Sequence, residues 1–74
     1  MSGNHSNHEL WQLRPSRPPE CCRWVSADGR WVSLTLCPHE QEMGRVLVRE
    51  SSGRTELVDT YEDALQLARG WRNE

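Results

Sequence analysis

Apolar and polar residues alternate in two short runs, "CRWVS" at 22–26 and "RWVSLTL" at 30–36, with Asp28-Gly29 between them. A period of two belongs to a strand with one buried face, and Asp-Gly between two such runs is a strong local signal for a hairpin closed by a two-residue type I′ turn. That turn pairs Ala27 with Arg30, Val25 with Val32, Arg23 with Leu34 and Cys21 with Leu36. Opposed side chains point the same way, so Val25, Val32, Leu34 and Leu36 are expected in the core. Cys22, Trp24, Ser26, Trp31, Ser33, Thr35 and, beyond the strand, Cys37 then share the opposite face. The pairing predicts two tryptophans, diagonal neighbours across the hairpin, turned towards solvent.

A second hairpin is predicted in "GRVLVRESSGRTELVDT", residues 44–60, closing at Ser52-Gly53. With a two-residue loop, Val48 opposes Leu57 and Leu47 opposes Val58. This sends Val46, Val48 and Leu57 to the core, and Arg45, Leu47, Arg49, Arg54, Glu56 and Val58 to the other side. A three-residue loop over Ser51-Ser52-Gly53 with a bulge is the competing form, and it shifts the faces of one strand. Between the hairpins "CPHEQEMG", residues 37–44, is polar and reads as a loop.

The period then changes. In "DTYEDALQLARGWRNE" Tyr61, Ala64, Leu65 and Ala68 recur as one helical stripe. Asp59 or Thr60 supplies an N-cap, with Glu62 or Asp63 three residues on at capping-box spacing. Acids in the first turn and Arg69 in the last suit the helix dipole. Gly70 is expected to end the helix in the left-handed conformation and to fold Trp71 back towards Leu65 or Gln66, as a core residue. The elements together predict an α+β fold: a four-stranded antiparallel meander of two hairpins with one C-terminal helix packed on one face.

Length makes that core thin. A chain of 74 residues is one domain at most and buries only about 60% of its unfolded surface. Residues 1–20 carry three of the four prolines and no sustained apolar period, so they read as a flexible, disordered N-terminal tail, leaving 21–74 as the ββββα domain. Trp11, within "HELWQLRP", is the one strong anchor in this tail, either docking onto a partner as a short linear motif or folding back over the sheet. No apolar run there is long enough for a signal peptide or a membrane span, and a cytoplasmic location is expected. Three cysteines without secretory context point to reduced thiols.

Little in the chain carries chemistry. Cys22, Cys37 and His39, with Cys21 adjacent, are the only grouping that resembles a metal site. Neighbouring cysteines in a strand point to opposite faces, and the paired C-x-x-C or H-x-x-x-H spacing of structural zinc sites is missing. His5 and His8 read as solvated tail residues. Cys37 and His39 lack a third, orienting group, and there is no phosphate loop, Ser/His/Asp set or paired carboxylate. The expectation is a protein that is not an enzyme and that uses no cofactor and no metal.

Charge narrows the partner. The net charge is -2, and residues 20–74 hold seven of the nine arginines against ten of the eleven acids. Every basic residue is arginine, whose planar fork suits stacking and bidentate recognition. The tryptophan pair on the open face, rimmed by Arg45, Arg49 and Arg54, predicts a binding module acting in protein–protein contacts, as a homodimer or by docking onto a larger complex. Nucleic-acid binding by the same face is the alternative, with rings stacking bases and arginines meeting phosphates. The excess of acids argues against the basic footprint such domains carry. A thiol- or zinc-dependent sensor is the third reading. A sheet bearing arginines and tryptophans, followed by a helix that runs Thr60-x-x-Asp63-Ala64-x-x-x-Ala68, resembles the layout of plant AP2-type and integrase arm-binding domains. That resemblance is one of layout, and it implies contact between the sheet and the DNA major groove.

Overall fold

A computed structural model describes residues 11–37 and 44–74. Five strands form one antiparallel meander, β1 (Trp11–Pro15), β2 (Glu20–Ser26), β3 (Trp31–Leu36), β4 (Val46–Glu50) and β5 (Thr55–Val58), and α1 (Tyr61–Arg72) closes the chain. The α+β class stands, with five strands rather than four. The extra strand comes from the segment read as tail: residues 11–15 pair with β2, Trp11 opposite Ser26 and Leu13 opposite Trp24. Prolines misled the reading there, because an edge strand tolerates proline at its end, where Pro15 sits.

Both hairpins close with three-residue loops. In the first, the Ser26 amide donates to Arg30 O and the Gly29 amide to Ser26 O; in the second, Glu50 donates to Arg54 O and Gly53 to Glu50 O. Gly29 and Gly53 are left-handed, at φ 94° and 101°, while among the described residues none other than glycine has positive φ. A type I′ turn needs positive φ at both central residues, so Asp28 would have to be left-handed too. The hairpin instead takes a type I turn followed by a left-handed glycine, the bulged three-residue form. Asp28 Oδ1 braces it, accepting from Ser26 Oγ and from the Arg30 amide.

One extra loop residue reverses the parity of one strand in each hairpin. Val25 opposes Trp31 and Trp24 opposes Val32. In the second hairpin Leu47 opposes Leu57, Val48 opposes Glu56 and Val46 opposes Val58. The faces expected for β3 and β4 therefore hold, and those expected for β2 and β5 exchange. Trp24, Cys22 and Val58 lie on the helix side, whereas Val25 and Leu57 lie on the open side.

The helix begins where Thr60 Oγ1 accepts from the Asp63 amide, as the capping signal predicts. It does not stop at Gly70, which is helical, but runs to Arg72 with Asn73 as its C-cap. Trp71 is a core residue as expected, but for a different reason: it continues the stripe of Ala64 and Ala68 at helical spacing. Small alanines let the helix axis lie close to the sheet, across β3, β4 and β5. Beneath it Val32, Leu34, Val46 and Val48 are essentially without exposed area, and each such side chain contributes about 1.5–3 kcal/mol. Trp24, Leu65, Leu67 and Val58 complete the packing at its margins. Leu36, expected in the core, falls beyond the helix and is exposed. Among the described residues no helix is long and apolar enough to cross a membrane.

Candidate functional site

The face of the sheet away from α1 presents one ring. Trp31 opens the middle strand, beside Val25 at the turn end of this face, with Arg23 and Arg49 leaning in from β2 and β4; their guanidinium carbons lie 4.5 and 6.0 Å from the ring centroid. Register explains the convergence. One row crosses all five strands, Arg14, Arg23, Ser33, Arg49 and Thr55, each opposite the next. Trp31 lies two residues before Ser33 on the same strand face, so both flanking arginines reach it. Ser33 is buried under their stems. Thr35, Leu47 and Leu57 form the next row, all half-buried.

Charge separates between the two sides. The open side carries Arg14, Arg23, Arg45 and Arg49 against Glu20, which pairs with Arg23 at 3.1 Å, and Asp59, which pairs with Arg45 at 3.5 Å. Among the described residues neither Arg14 nor Arg49 has a carboxylate partner. Glu50, Glu56, Glu62, Asp63 and Glu74 belong to the helix side or to the helix itself. Among the described residues a chain of net charge -2 thus presents a net positive sheet face, which summing the sequence by segments conceals.

The predicted site residues divide accordingly. Trp31 and Arg49 share the open face, with Arg45 at its end. Trp24 does not: it lies beside the core with the Arg72 guanidinium 4.2 Å from its ring centroid. Arg54 is also on the helix side, 4.2 Å from Trp71, where its guanidinium donates to Glu50 at 2.9 Å and Glu74 at 2.8 Å. Those two carboxylates hold its proton more tightly than an ordinary arginine's, and Arg54 in turn pulls Glu50 below its usual pKa. Trp11 is neither a free docking motif nor a cover for the open face; it is buried at the start of β1, with Arg30 5.2 Å away. Arg14 and Arg23 are the members that sequence reasoning missed. The competing bulged loop, applied to the first hairpin as it was weighed for the second, would have placed Arg23 beside Trp31.

Each of the four tryptophans therefore has a guanidinium over its ring, an arrangement that lysine's compact ammonium serves less well. For Arg23, Arg30, Arg49, Arg54 and Arg72 the choice of arginine has a structural reason.

The thiols do not converge. Cys22 lies on the helix side, where burial raises its pKa despite a hydrogen bond from the Tyr61 hydroxyl. Cys37 follows Leu36 at the opposite parity, its amide donating to Arg45 O. The expected shared face of Cys22 and Cys37 is thus overturned by the bulged turn. Among the described residues no three His, Cys, Asp or Glu side chains gather as a metal-binding group, and His5, His8 and His39 lie outside those residues. The chain matches no family model, no curated protein and no solved structure.

Proposed function

We propose that this protein is a non-enzymatic binding module whose open sheet face docks onto an acidic surface of a larger protein. The observation that carries the reading is Trp31 clasped between Arg23 and Arg49, with Arg14 extending the row and, among the described acids, Glu20 and Asp59 on that side, each paired to an arginine. Tryptophan and arginine are the residue types that dominate interface energetics, and an aromatic ring within a charged rim is the usual anatomy of a hot spot. The partner is a different protein rather than a second copy. Two of these faces joined about a two-fold axis would set arginine row against arginine row.

The unpartnered Arg14 and Arg49 favour nucleic acid as the second reading, with phosphates as counter-charges. Sedimentation, affinity capture and oligonucleotide titration of the full chain test both. The docking reading expects a monomer, and a protein retained by the wild type but lost with Trp31→Ala and with Arg49→Glu, both variants folded by circular dichroism. Retention unaffected by either substitution removes the open face from consideration. Binding of a labelled oligothymidine that weakens steeply with salt transfers the assignment to nucleic acid, and self-association abolished by Trp31→Ala restores the homodimer.

A further inference from the structure

The two hairpin turns, the start of β1 and the end of α1 meet at one end of the molecule, around a cleft of about 180 Å³ lined among others by Trp11, Trp71, Arg30, Arg54, Glu50 and Glu74. Two of these residues hold buried N–H groups without a hydrogen-bond partner, Trp11 Nε1 and Arg54 Nε. Unanswered buried donors are rare in native proteins, because each forfeits its water without replacement. Here both belong to residues that line one cleft.

We propose that this cleft binds an extended, proline-containing peptide segment whose main-chain carbonyls answer these donors and whose pyrrolidine rings pack on Trp11. Charge selects a neutral ligand. Arg30 and Arg54 face Glu50 and Glu74, so an anion meets two carboxylates and a cation meets two guanidiniums. What remains unmet is acceptor capacity next to aromatic surface. Proline offers a carbonyl and an apolar ring and brings no N–H of its own to strand, and its polyproline geometry costs little entropy to hold. Arg30 is the side chain that yields: exposed, and held over Trp11 only by its exposed partner Asp28, it swings clear as the peptide enters. The cleft borders the open face, since Trp31 is in its lining, but the donors that define it belong to Trp11 and Arg54, so this inference does not rest on the docking reading.

The test is a titration of the full-length, ¹⁵N-labelled protein with acetylated, amidated hexaproline, read at the four indole N–H resonances. The expected result is a downfield shift of the Trp11 indole N–H and of the Arg54 Nε–H, with the Trp24 indole unmoved. Trp11→Phe keeps a ring and removes the donor, and is expected to weaken binding about fivefold. Arg30→Ala, at an exposed position, is expected to tighten it, and Arg49→Glu on the sheet face to leave it unchanged. A Trp11 resonance that stays fixed at millimolar hexaproline overturns the proposal. So does an equal response to a Gly-Ser hexapeptide, or an affinity that Arg30→Ala and Trp11→Phe both leave unaltered.

Discussion

Trp24 and Trp31 lie seven residues apart in one hairpin, yet their replacement by alanine has unequal consequences. Trp24 packs beside Val32 and the helix, under Arg72, whose own pKa is lowered by burial. Removing a large aromatic from a core costs about 3–5 kcal/mol; Trp24 is half-buried, which puts its loss near the lower bound, and a desolvated guanidinium contact adds about 1 kcal/mol. Trp31, half-buried as well but with no helix over it, loses two guanidinium contacts and one cross-strand pair with Val25, together about 1–2 kcal/mol. The difference is about 2 kcal/mol. For a domain of this size it corresponds to a gap of about 10 °C between the two melting temperatures, Trp24→Ala being the lower. Thermal unfolding of both variants followed by circular dichroism measures it directly. Equal melting temperatures, or a lower one for Trp31→Ala, would refute the assignment of the two rings to opposite faces. The pair also separates stability from function, since Trp31→Ala is the variant expected to stay folded and lose its partner.

Three further outcomes follow from single contacts. Gly29→Ala and Gly53→Ala each force a side chain into the left-handed region and cost about 1–2 kcal/mol, whereas Gly70→Ala, helical and with no atom within 4 Å of the added carbon, gains about 1 kcal/mol; urea unfolding ranks all three. Because Arg54 draws Glu50 below its ordinary value of 4.5, the stability this carboxylate contributes is complete above that pH and lost as pH falls through the lower native value. Glu50→Gln should flatten that acid limb in melts taken from pH 6 to pH 2. Burial raises the Cys22 thiol, so at pH 8 it should react with iodoacetamide more slowly than in the urea-unfolded chain, as site-resolved mass spectrometry reports. Equal rates in the two states would contradict the burial.

How much was legible in advance depends on the range of the interaction. Thr60 capping Asp63 and the stripe of Ala64, Ala68 and Trp71 rest on contacts within one or two turns, and local spacing reports these faithfully. The face of each inner strand, Val32 and Leu34 in β3 and Val46 and Val48 in β4, followed from alternation alone. Loop length did not. Asp28-Gly29 serves a two-residue and a three-residue turn almost equally well, and the choice falls to whichever buries more apolar surface. With the bulged turn, Trp24 joins Val32 under the helix; with the tighter one it would face water.

The amino-acid sequence by itself determined the α+β class, the two hairpins, the capped helix and the central strands of the core, because each depends on neighbours a few residues away. Only the tertiary structure decided that residues 11–15 complete the sheet, that Trp24 and Trp31 part company, and that Arg14, Arg23 and Arg49 line up in one row on the open side. Those outcomes depend on register between strands. Register has a period of two, so one residue of loop reverses every side chain along a strand. Its energy lies in what the whole helix covers, and no short stretch of the chain contains that information.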